Sequence, residues 1–256
     1  MSAPRAAGRL VVALPPDEAS LALLDAALAL ADRLQRELLG LFLEDEGLLA
    51  AAGLPFTRIV PRRALAEVAF DVASTERAVR VLAERARHRL AAAGTRSVRW
   101  RLEVLRGGLE AAGLEAGDVL ALGVAGALLA GTPSGPLPCP VVVIGRRGGP
   151  VLLVHEGSEE VLRLAEALAR DGGLPLVVLV AGPEEAEAAR RRFGEGVRVL
   201  SGELRDEAGL VALLRAQRPG LVVLDGYRSD TIWKAAVEAV RPGGEAGTGH
   251  GHEPSR

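Results

Sequence analysis

The chain has 256 residues, 49% of them hydrophobic and 25% charged, which suits one large domain or two ordinary ones and excludes wholesale disorder. Its net charge of −2 gives no electrostatic reason to expect nucleic acid or an anionic membrane as partner, since the arginines fall at helical spacing beside Glu and Asp, as on a solvated face. Cys139 is the only cysteine, which excludes an intrachain disulfide and fits a reducing, cytoplasmic location.

The opening MSAPRAAGRL has no apolar segment of leader length, so no secretory signal is expected. RLVVAL (9–14) is an apolar run of strand length. From Glu18 to Leu34 apolar residues recur at three and four, which predicts a helix with Asp17 as its N-cap. ELLGLFL (37–43) reads as a second buried strand, and LLAAAGLPFTRIVPRR as a loop with a short helical piece. Ala64 to Leu90 reads as one long helix ending near Gly94. SVRWRLEVL (97–105) alternates and predicts a strand with Trp100 as a packing residue. Arg106-Gly107-Gly108 then turns into a short helix that stops near Gly117. DVLALG (118–123) and PVVVIG (140–145) are the fourth and fifth strands, and the proline-rich segment between them looks too short for the usual intervening helix.

After GRRGGP (145–150) the pattern restarts. Strands are expected at 151–157, 175–180, 197–200 and 221–226, with helices over 159–170, 184–192, 206–217 and 230–240. The remaining Gly-rich stretch reads as a disordered tail. The chain therefore divides into a first unit over 9–148, a second and truncated unit over 149–242, and a tail over 243–256. Alternating strands and helices imply an α/β fold, here two tandem doubly wound parallel sheets, the second without a fifth strand.

Ligands of such sheets sit beyond the carboxyl ends of the strands, where strand order reverses. In the first unit those turns are Pro15-Pro16-Asp17 and Gly123-Val124-Ala125-Gly126; in the second they are Glu156-Gly157-Ser158 and Asp225-Gly226. Cys139, between two prolines at a strand entrance, reads as a small buried residue rather than a nucleophile. His155 and Glu156 are adjacent on a strand and point to opposite faces, which argues against a shared site. His250 and His252 offer two metal ligands on a tail, too few for a defined centre. The chain lacks a P-loop, a nucleophile elbow and a Cys/His pair, so neither a catalytic residue nor a metal site is expected.

LVVALPPDEASLALLDAALALADRL resembles the opening of a universal stress protein domain. So do Gly40 to Asp45, Gly53-Leu54-Pro55-Phe56, the RGG turn, DVLALG and Cys139-Pro140-Val141-Val142-Val143. Order rather than any one motif carries the resemblance, which covers most of 9–145 and, more weakly, 150–240. It implies an adenine nucleotide alpha hydrolase-like fold, from a bacterial branch of the family, whose domains pair with one another. Nucleotide-binding members carry an aspartate at the end of strand one. After strand four they carry G-x-x-G, nine residues, then Gly and Ser or Thr. Here Pro15 holds the aspartate's place, and Gly123 and Gly126 satisfy G-x-x-G. Only Ala127 to Ala130 precede Gly131-Thr132. In the second unit Glu156-Gly157-Ser158 stands where D-G-S would, and Asp225-Gly226 ends strand four.

The resulting expectation is a non-catalytic regulatory or stress-response protein with a degenerate first nucleotide site and no cofactor. Its two units would pair as a pseudo-dimer, with a protein partner or a second copy as further contacts. The alternative is an ATP sensor using Glu156, Gly157, Ser158 and Asp225.

Overall fold

Strands covered by helices on both faces consist of apolar residues throughout, and the core strands of this chain have that composition. The computed structural model describes residues 8–15, 17, 19–44, 58–59, 68–69, 72–92, 98–106, 109–130, 133, 135–145, 148–226 and 229–241. In the first half these are β1 (Leu10–Leu14), α1 (Ala19–Leu34), β2 (Leu38–Glu44), β3 (Arg58–Ile59), β4 (Val68–Ala69), α2 (Val72–Ala92), β5 (Trp100–Arg106), β6 (Val119–Gly123), α3 (Val124–Ala130) and β7 (Val141–Ile144). A single 3-10 turn covers Leu109–Ala112. The second half adds β8 (Val151–Val154), α4 (Glu159–Gly172), β9 (Leu176–Val180), α5 (Pro183–Phe193), β10 (Arg198–Ser201), α6 (Glu207–Ala216), β11 (Leu221–Leu224) and α7 (Asp230–Val240).

One nine-stranded sheet runs through both halves in the order β10-β9-β8-β11-β7-β6-β1-β2-β5. Counting only the strands of this sheet, each unit repeats the order three-two-one-four, and all its pairs inside a unit are parallel. The two sheets expected from the sequence are thus continuous. They join where β7 meets β11 antiparallel, with Val143 opposite Val222 and Val142 opposite Val223. No fifth strand follows β11 among the described residues, and β7 occupies the place beside it.

Side chains alternate across the sheet with the two-residue period of a strand. Leu10, Val12 and Leu14 face α1, α2, α4 and α5, whereas Val11 and Ala13 face α3, α6 and α7. The result is three layers, with Trp233 of α7 buried in the second core. Helix α1 packs over β1, β2 and β6, and α4 over β8, β9 and β11. Strand β7 therefore runs beneath the valley between them.

Two expectations require correction. The long helix expected from Ala64 begins only at Val72, because Val68–Ala69 pairs antiparallel with Arg58–Ile59. The apolar spacing of Val68, Phe70 and Val72 fits strand alternation as well as a helical stripe. The segment before β7, read as too short for a helix, carries the two-turn α3 directly after β6. Among the described residues no helix is long and apolar enough to cross a membrane.

The amino ends of β1 and β6 are tied by one carboxylate. Asp118 is 3% exposed and accepts from the Arg9 backbone N–H at 2.8 Å, Arg9 Nη2 at 2.6 Å and the Glu115 N–H at 3.1 Å. Burial pushes this carboxyl up, but the hydrogen bonds and charge of Arg9 outweigh it, so its pKa lies below the usual range. Asp118→Asn should cost about 2–3 kcal/mol in urea unfolding, since it leaves Arg9 without its counter-charge. A depressed native pKa stabilises above the unfolded value of about 4 and is lost as pH falls through the native value. The gap between wild type and variant should therefore narrow below pH of about 4.

Candidate functional site

Because β7 and β11 are antiparallel, the carboxyl ends of the first-half strands lie at one end of the sheet and those of the second half at the other. The two sets of predicted turns are consequently far apart and form no common site.

At the first end, Pro15 is buried and Asp17 exposed. Asp17 Oδ1 accepts from the Ser20 N–H at 2.9 Å and lies 3.1 Å from the Ser20 hydroxyl, which also reaches the Pro15 carbonyl. Asp17 therefore holds the first turn of α1, as the sequence suggests, because a side-chain oxygen satisfies an otherwise unpaired N–H there. Strand β6 passes straight into α3, so Gly123 ends the strand and Gly126 lies inside the helix. A Cβ on Gly126 would sit 2.7 Å from the Ala13 carbonyl oxygen and 3.6 Å from Pro15 Cδ. One on Gly123 would sit 3.0 Å from Leu23 Cδ2. The protein's own atoms thus occupy the place a side chain would take at either glycine. Gly131 and Thr132 lie outside the described residues, as do Gly53 to Phe56 and the tail.

Pro15, Asp17, Gly123 and Gly126 border a cleft of about 870 Å³. One wall is the face of α1 carrying Leu23, Ala26 and Leu30. The far side comes from the second half, with Leu174, Gly220, Leu221 and Val240. The sequence singled out only the turn residues. The α1 stripe and the second-half wall were hidden because their convergence depends on the β7–β11 pairing.

At the opposite end, Glu156 and Gly157 are exposed, and Gly157 has φ +102°, a conformation that suits glycine. Ser158 is the N-cap of α4, its hydroxyl oxygen accepting from the Val161 N–H at 3.4 Å. Gly226, φ +68°, backs onto the Leu137 carbonyl oxygen, which a Cβ would meet at 2.8 Å. The structure does bring His155 and Asp225 to this same end. Burial lowers the His155 pKa, against the pull of the Glu159 and Asp225 carboxylates and with the aid of Arg192. His155 Nδ1 is buried without a hydrogen-bond partner among the described residues. Glu159 and Arg192, absent from the sequence reading, pair through two hydrogen bonds, Nη2 to Oε2 measuring 2.6 Å. Among the described residues no three His, Cys, Asp or Glu side chains converge as metal ligands would.

No protein-family model matches the chain, and no curated protein matches it. Matches are found among solved structures. A universal stress protein from Archaeoglobus fulgidus DSM 4304 is 16% identical with a TM-score of 0.47, over 84% of this chain and 95% of the other. A Pseudomonas aeruginosa UCBPP-PA14 structure described as a universal stress protein is 16% identical with a TM-score of 0.45, over 91% and 98%. A functionally unknown protein from Pseudomonas aeruginosa PAO1 is 14% identical with a TM-score of 0.45, over 92% and 97%.

Two predictions follow from the site's geometry. Gly126→Ala should destabilise by about 2 kcal/mol, because backbone cannot retreat from the new methyl, whereas Gly123→Ala should cost less since Leu23 can turn aside; thermal unfolding of the two variants compares them. Burial, with Asp118 nearby, pushes the Cys139 thiol up to about 11. Native protein at neutral pH should therefore resist iodoacetamide and label at the normal rate only when unfolded.

Proposed function

We propose that this chain is a non-catalytic, cytoplasmic regulatory protein of the bacterial stress response, a tandem and degenerate universal stress protein whose two units form a pseudo-dimer within one chain. The observation that carries the reading is the first switch point. Where a nucleoside would need a carboxylate there is a buried proline with neither N–H nor side-chain acceptor. Beside Gly123 and Gly126, which border the cleft, the place a side chain would take is held by Leu23, Ala13 and Pro15, so packing alone accounts for both glycines. The recurring strand order supports two units of one ancestry. In the second unit Ser158 caps α4, which supports reading that turn as structural. Regulation would then run through protein contacts, with no cofactor.

Thermal unfolding with ATP tests this reading. A micromolar site would stabilise the native state by about 4 kcal/mol at millimolar ligand, a shift of a few degrees or more. The expected shift is nil. A shift abolished by Glu156→Ala would establish the second-unit sensor instead, and one that persists in that variant would return the nucleotide to the first unit.

A further inference from the structure

We propose that the cleft between the two halves binds an amphipathic carboxylate, a hydrocarbon chain with a single anionic end. This goes beyond the regulatory reading and does not depend on it. A cleft of about 870 Å³ is of the size that takes small ligands, which bury apolar surface and use few polar anchors. Its lining fits that division. Ala22, Ala26, Ala29 and Arg33 follow one another at four, three and four residues along one side of α1, a single helical stripe. Ile144 and Leu221 are only partly buried beneath them, and Leu128 at the mouth is 58% exposed. Ile144 and Leu221 pack against the first core, and the surface they leave uncovered borders the cleft.

The charges set the polarity of the ligand. Both acids in the lining are engaged: Asp25 receives two hydrogen bonds from Arg89, at 2.8 and 2.6 Å, and Asp17 holds the start of α1. Arg241, at another edge, pairs with Glu238 at 3.4 Å. Arg33 is exposed and makes no ion pair among the described residues. Its guanidinium reaches from the end of α1 to Gly172 at the end of α4, where a Cβ would stand 3.1 Å from Nη1, and borders the cleft there. A free guanidinium at the end of an apolar stripe calls for a carboxylate, which it can meet with two parallel hydrogen bonds. From Ala22 to Arg33 the stripe runs about 16 Å at the rise of an α-helix, room for an extended acyl chain with its head at Arg33.

Isothermal titration of the full chain with laurate, below its micelle concentration, tests the proposal. Laurate should bind, and Arg33→Gln should weaken it about tenfold while leaving dodecanol affinity unchanged. Ala29→Trp, at an exposed position of the lining, should obstruct the apolar stripe and weaken both ligands. Circular dichroism confirms that each variant is folded. Any of three results would overturn the assignment: no laurate binding by wild type, equal loss of laurate and dodecanol in Arg33→Gln, or unchanged binding in Ala29→Trp. So would a wild-type dimer that Ala29→Trp splits, because the cleft would then belong to a second copy.

Discussion

The antiparallel pairing of β7 with β11 is the interaction on which the rest of the molecule depends. Each strand is four residues of Val, Leu or Ile with both faces in a core. Left at the edge of its own sheet, either would present unpaired backbone groups in an apolar strand, a template for aggregation. Paired, each covers the other. The edges that remain are of different character: β5 carries Arg101, Glu103 and Arg106 outward, and β10 carries Arg198 and Ser201. Charged and polar edges of this kind resist further strand addition. A truncated second half is tolerable because the last strand of the first half stands where its own fifth strand would.

The same pairing decides what surrounds each switch point. Reversal of strand direction at the seam sets the ends of β1 and β6 beside the starts of β8 and β11. The first crevice is therefore walled by Gly220 and Leu221 as well as by its own α1. At the other end Gly226, just past β11, is pressed against the carbonyl of Leu137, which precedes β7. Neither crevice is the property of one half. A change in either half alters the surroundings of both crevices.

Much of the fold was legible in the sequence, because strands covered on both faces read as unbroken apolar runs and helices read by their stripe. The restart at Val151 was visible for the same reason. The seam was not, since PVVVIG and LVVLDG are interchangeable as strands and nothing in either names its neighbour or direction. The helix start was misplaced because Val68, Phe70 and Val72 suit two periods. At the site, residue type was readable but occupancy was not. Pro15 shows by its chemistry alone that it brings no acceptor, whereas the spacing of Gly123 and Gly126 says nothing of how closely Leu23 and Ala13 approach them.

Those two glycines and Pro15 are best understood together. Without a side chain at 126, α3 can settle against the end of β1, close to the Ala13 carbonyl and within van der Waals reach of the Pro15 ring. Pro15 in turn has no N–H to leave unsatisfied in that closed space, and its own carbonyl is met by the Ser20 hydroxyl and the Asp17 N–H, the latter at 2.8 Å. Replacing Pro15 by aspartate would place a carboxylate in a buried position, with a desolvation cost. At both glycines the place a side chain would take is already held, by Leu23 at 123 and by the Ala13 carbonyl at 126.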